Sequence, residues 1–102
     1  MPFLLQVDFE MDGPFGEAMV QAFSGLAESI NQEPGMLWKI WTEDAQAKQA
    51  GGVYLFDTRE HAQQYLDMHS ARLTEAGVRN LRGKIFEVNQ ALSAINHGPL
   101  KA

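Results

Sequence analysis

The chain has 102 residues, 45% of them hydrophobic and 21% charged, with a net charge of −5 and no cysteine. That size and balance predict one globular domain. The acidic charge argues against a nucleic-acid partner, which needs a basic face. The lack of cysteine excludes disulfides, thiolate catalysis, and zinc or iron–sulfur sites built on cysteine.

The opening MPFLLQVDFEMD lacks a basic n-region and reads as a strand, not a signal peptide. Phe3, Leu5, Val7 and Phe9 alternate with Leu4, Gln6 and Asp8, a period of two. MDGP at 11–14 predicts a turn, with Asp12 or Gly13 capping a helix and Pro14 in its first turn. From Phe15 the period lengthens. Phe15, Met19, Phe23, Leu26 and Ile30 fall on one stripe of an amphipathic helix, and Pro34-Gly35 ends it.

MLWKIWTE at 36–43 holds both tryptophans, three positions apart. That spacing suits a helix, but the preceding Pro-Gly and the aromatics with Ile and Thr favour a strand. DAQAKQAGG at 44–52 reads as a hairpin loop with a flexible glycine end, and VYLF at 53–56 as an apolar strand. Asp57-Thr58-Arg59-Glu60 has a capping-box pattern, with Asp57 as an acidic cap. Ala62, Tyr65, Leu66, His69 and Leu73 form the apolar stripe of a second helix, which Gly77 stops. VRNLRGKIFEV at 78–88 is the last strand, with a bulge expected at Gly83. In the tail, 89–102, Leu92 and Ile95 can dock on the body or on a partner. No stretch approaches the roughly 18 apolar residues of a membrane span. A cytoplasmic protein with no membrane partner is expected.

The order β-α-β-β-α-β predicts an α+β, ferredoxin-like fold with a four-stranded antiparallel sheet and both helices on one face. Four strands span roughly 19 Å, and two helices of roughly 10 Å each cover one face only. Yet the strands carry large apolar groups on both faces, where a sheet with one wet face should alternate. A second copy of the chain is the simplest cover for the other face, so a homodimer is expected. On this reading one tryptophan lies under the helices, and Trp38 faces the partner or a cavity.

No P-loop, dinucleotide fingerprint or His-x-x-x-His motif is present, and His61, His69 and His97 have no metal-ligand spacing. An RNA-recognition module of the same element order would need a basic-glycine-aromatic signature on its central strands, which is lacking. An acylphosphatase-like loop would need an arginine near the first turn, where FEMDGPFGE is acidic. His69 reads either as a boundary histidine bonded to a carbonyl or as a proton carrier at a cavity mouth. Arg72 reads either as a solvated helix cation or as a holder of an anionic substrate oxygen. Trp38, Trp41, Tyr54 and Phe56 are core residues or the aromatic lining of a small-molecule cavity, with Asp8 and Gln6 as polar tips.

LLQVDFEMDGPFGEAM, LAESINQEPGMLWKIWTE, GGVYLF and ARLTEAGV closely resemble the YdhR family of small bacterial proteins, assigned as mono-oxygenases. The resemblance runs from about residue 4 into the tail. It implies a dimeric α/β barrel of two ferredoxin-like subunits packed sheet to sheet, similar to mono-oxygenases that oxidise polycyclic phenols without a cofactor. The parent superfamily often carries Trp-x-Ser at the start of helix two, Asn on strand one and His near the end of helix two. The matching places here hold Phe56-Asp57-Thr58, Asp8 and His69, so only the histidine is kept. The resemblance implies an aromatic substrate and molecular oxygen as reactants and no flavin or metal. It implies His69 and Arg72 as the groups that handle the proton and the anionic oxygen, and Trp38, Tyr54, Phe56 and Asp8 as substrate contacts.

Overall fold

A computed structural model describes residues 2–101. The chain runs β1 (Phe3–Glu10), α1 (Glu17–Ile30), β2 (Met36–Asp44), β3 (Gln49–Phe56), α2 (Arg59–Glu75), β4 (Arg79–Glu87) and a short α3 (Gln90–Ile95). The sheet order is β2-β3-β1-β4 with all pairs antiparallel, as the ferredoxin-like reading requires.

Register assigns the faces. Leu5 pairs with Tyr54 and Ile85, and Val7 with Gly52 and Gly83. Leu5, Val7, Tyr54 and Phe56 are fully buried with Ala62 and Tyr65 of α2 and Ile30 of α1, so this is the face under both helices. The tyrosine and phenylalanine rings pack as a cluster, with Tyr54–Tyr65 centroids at 5.0 Å and Phe56–Tyr65 at 5.6 Å.

The other face carries the row Trp38–Leu55–Leu4–Phe86 across all four strands. Leu55 is buried, but Ile40 is 55% and Phe86 40% exposed. The tail reaches this row, where the Trp38 indole Nε1 donates to the Pro99 carbonyl at 2.9 Å. Leu92 and Ile95 do not dock within the subunit; they are 61% and 70% exposed.

Several local expectations are corrected. Residues 49–52 are strand, not loop, and only 45–48 turn the hairpin. The two glycines are there for space. A Cβ on Gly51 would stand 1.9 Å from the Val7 carbonyl oxygen, and one on Gly52 2.7 Å from Lys39 Cε. The first helix starts at Glu17 after Gly16, which has φ +60°. Its free amide end is met from another strand, with Gly16 N donating to Glu43 Oε1 at 2.7 Å, rather than by Asp12 or Gly13. Thr58, not Asp57, caps α2 by accepting from His61 N. Asp57 instead bonds the His61 ring at 2.7 Å. The irregularity is one extra residue in β4, where residues 79–82 run opposite residues 8–10 and Asn80 has φ +53°, while Gly83 is regularly paired. Leu66 occupies the space a Gly83 side chain would fill.

Candidate active site between sheet and helices

A cavity of about 350 Å³ lies between the helix-covered face of the sheet and both helices. Its walls are apolar: Phe9 of β1 and Met11 just after it, Met19, Phe23 and Leu26 from α1, and Leu73 from α2. Trp41 of β2 closes one side, stacked on Phe23 with centroids 6.3 Å apart and planes 16° apart. Four polar side chains enter among them: Tyr54, His69, Arg72 and Lys39. The volume and the few convergent polar groups are those of a small-molecule site.

Helical spacing brings His69 and Arg72 together. Three residues apart on α2 they share a face, and the Arg72 Nη2 lies 2.8 Å and Nε 3.3 Å from His69 Nδ1. A guanidinium has donors only, so Nδ1 is the acceptor and carries no proton. The neutral ring therefore holds its proton on Nε2. The imidazole is also stacked on Tyr65 at 5.0 Å and is only 4% exposed. Burial pushes its pKa down to about 3, and the positive charges of Arg72 and Lys39 push the same way. At neutral pH His69 is thus an uncharged hydrogen-bond donor, in place of the proton carrier its residue type suggests.

Tyr54 receives a hydrogen bond from Tyr65, oxygen to oxygen 3.2 Å. Burial first, then the neighbouring Tyr65, raises the Tyr54 pKa far above the usual range, so it stays protonated. Its oxygen already accepts, which leaves its own hydrogen free to donate. Lys39 lies between Trp41 and Tyr54, its Nζ 3.4 Å and 4.7 Å from the ring centroids. Burial, with Arg72 adding repulsion, lowers the Lys39 pKa to about 7. Tyr54, His69 and Arg72 therefore present donors, Lys39 presents an amine poised between its charged and neutral forms, and the rim carboxylate Asp12 is engaged by Arg79 at 3.1 Å. Such a lining suits a flat apolar body bearing an oxygen with negative charge.

Tyr54, His69 and Arg72 thus come together as expected, and the other predicted contacts do not. Trp38 faces the opposite side of the sheet, bonded to the tail, and the tryptophan of the cavity is Trp41. Strand parity puts Trp38 and Trp41 on opposite faces, and the irregularity between Met36 and Trp38 moves only Met36, to the helix side. Phe56 is fully buried core beneath α2 and lies outside the lining. Asp8 is on the far face, where it accepts from Gln6 Nε2 at 3.4 Å. Lys39 is the group missed in the sequence. Its signal was parity, since residues 39 and 41 of one strand share a face. Among the described residues no group of three or more His, Cys, Asp or Glu converges to hold a metal ion. Nor is any helix there long and apolar enough to cross a membrane.

Residues 4–99 match the sequence profile of the family described as "Putative mono-oxygenase ydhR". Solved structures share the fold. A point mutant of SnoaB, a cofactor-independent oxygenase from Streptomyces nogalater, is 13% identical with a TM-score of 0.62, over 87% of this chain and 94% of that one. A protein described as a "putative antibiotic biosynthesis monooxygenase" from Deinococcus radiodurans is 17% identical, TM-score 0.58, over 87% and 93%. The structural-genomics protein YJCS is 13% identical, TM-score 0.56, over 86% and 98%. None of the curated proteins matches the chain significantly.

Proposed function

The chain belongs to the ydhR mono-oxygenase family, and we propose that it oxygenates a flat phenolic substrate in the cavity between sheet and helices, without a flavin or metal. The observation that carries this reading is the lining itself, in which apolar and aromatic walls meet a donor-only cluster of Tyr54, His69 and Arg72. A phenol whose ring bears an activated methylene loses a proton to give a delocalised anion. Trp41 and Phe23 flank the ring system, and His69 Nε2–H, Tyr54 O–H and the Arg72 guanidinium stabilise the oxygen that carries the charge. The electron-rich carbanion can itself reduce oxygen. The methylene becomes a carbonyl, one oxygen atom enters the product, and the other leaves as water with the two hydrogens of the methylene.

Oxygen uptake with a panel of hydroxylated anthrones tests this. Uptake above the uncatalysed rate is expected, reduced at least about tenfold in His69→Ala. Binding without uptake would leave a dimer that only holds a small apolar ligand, a reading that the neutral, fixed His69 also suits. Uptake unchanged in His69→Ala would remove the histidine from the reaction.

The same reading has two subunits packed through the far face of the sheet. Exposed Ile40 and Phe86 there supply an apolar surface that water alone would cover at a cost, and α3 adds exposed Leu92 and Ile95. Light scattering at micromolar concentration should give twice the 11.4 kDa chain mass. A monomer would refute the face-to-face arrangement.

A further inference from the structure

We propose that Lys39 is the base of this site: its uncharged amine takes the hydroxyl proton of the bound phenol, and the resulting ammonium holds the phenolate in the cavity. The proposal rests on the reading of the cavity as a phenol site and names the acceptor that this reading needs.

Geometry places the amine there. Lys39 pairs with Tyr54 across β2 and β3, on the helix-covered face. Its stem lies over Gly52, where any Cβ would stand 2.7 Å from Lys39 Cε and 3.3 Å from Tyr54 Cε1. A glycine at that point is what lets the chain cross the sheet into the cavity. Nζ then rests 3.4 Å from the Trp41 ring centre, and no described carboxylate pairs with it. A half-buried lysine without a counter-ion is costly to fold, and such groups concentrate at functional sites.

Elimination points the same way. His69 accepts from Arg72 on one nitrogen and carries its proton on the other, so it has no free lone pair at neutral pH. Arg72 does not deprotonate. Tyr54 and Tyr65 are both held in the protonated form by burial. Asp12 and Arg79 engage each other at the exposed rim, and Glu43 accepts from Gly16 beside α1. Lys39 remains, with a pKa near 7 that leaves much of it neutral under ordinary conditions. Proton transfer to an amine poised there is efficient for phenols and enols of moderate acidity, which defines the substrate class. In the step the phenol O–H bond breaks and its electron pair stays on oxygen. An N–H bond forms on Nζ, and no electrons leave the pair.

The test uses 2-naphthol under nitrogen at about pH 8, where the free phenol is protonated because such hydroxyls ionise near ~10. Wild type should bind it with the absorbance of naphtholate and release no net proton, since Lys39 keeps it. Lys39→Met should bind at least about tenfold more weakly and in the neutral form. Lys39→Arg keeps the charge without the base, so it should show naphtholate absorbance and release one proton per ligand. Lys39→Met should also unfold at a higher temperature than wild type, because a half-buried cation is gone, and this separates lost ionisation from lost folding. Naphthol that binds wild type in the neutral form, or fails to bind it, overturns the proposal, as does naphtholate in Lys39→Met. Naphtholate formed as described, without oxygenation of any anthrone, would sustain the base and sink the oxygenase reading. Undiminished oxygen uptake in Lys39→Met would do the reverse.

Discussion

Replacing Gly51 with alanine is expected to lower folding stability by about 3 kcal/mol or more, a large part of the ~5–15 kcal/mol that holds a domain together. The added Cβ would stand 1.9 Å from the Val7 carbonyl oxygen and 2.9 Å from its carbon. Those atoms are backbone, so no rotamer can relieve the contact. Relief requires β1 and β3 to part where Asp8 pairs with Gly51, in the middle of the sheet. Thermal unfolding should fall by roughly 15 °C or more for a chain of this length. Gly25→Ala is the control: it sits in α1 with open space around its Cβ position. That change should be neutral or stabilise by up to about 1 kcal/mol, since alanine is the better helix former. A Gly51→Ala protein that unfolds within a few degrees of wild type would show that the strands are not packed as described.

Arg72→Met should reduce oxygenation, measured as kcat/KM, by about a hundredfold to a thousandfold, the range seen when a donor to a developing oxyanion is removed. Arg72 acts twice in the account. Its guanidinium faces the cavity as a permanent positive charge, and it fixes His69 by donating to Nδ1. Both roles vanish in the methionine variant. His69 should then titrate at a higher pH than its value of about 3, by at least about one unit. It should not return fully to about 6.5, because burial is the largest cause of the depression and remains in place. The direction follows from charge: removing a neighbouring cation favours the protonated imidazole. NMR of the imidazole nitrogens should show one tautomer, protonated on Nε2, in wild type and no fixed tautomer in the variant. Activity within threefold of wild type, with the His69 titration unmoved, would contradict both roles.

The sequence carried the element order well because its periods are clear. Phe3 to Phe9 alternate in twos, and Phe15 to Ile30 recur at helical steps, and both patterns survive in the fold. The dimensions of four strands and two helices also told which face lacks cover, and exposed Ile40 and Phe86 lie on it. Gly51 and Gly52 were misread because glycine is poor in strands by propensity. They sit in one because neighbouring atoms leave no room for a side chain, and that crowding is a property of packing that a single sequence does not display. Alternation correctly split the two tryptophans between the faces, but Trp38 was assigned to the cavity because parity alone does not say which face holds it. In the site, His69 and Arg72 were readable from helical spacing alone. Lys39 was readable from parity with Trp41, but lysine in an apolar strand is ordinarily taken to face water. The state of His69 was not readable, since it follows from a guanidinium on Nδ1 and from burial against Tyr65.

The central claim is that the cavity under the helices performs mono-oxygenation. It is tested most directly by turnover of a hydroxylated anthrone in ¹⁸O₂, with the label followed by mass spectrometry at early times. The account predicts one labelled oxygen in each quinone formed and the other in water, with no hydrogen peroxide. Unlabelled quinone accompanied by peroxide, or no quinone above the uncatalysed rate, would contradict it.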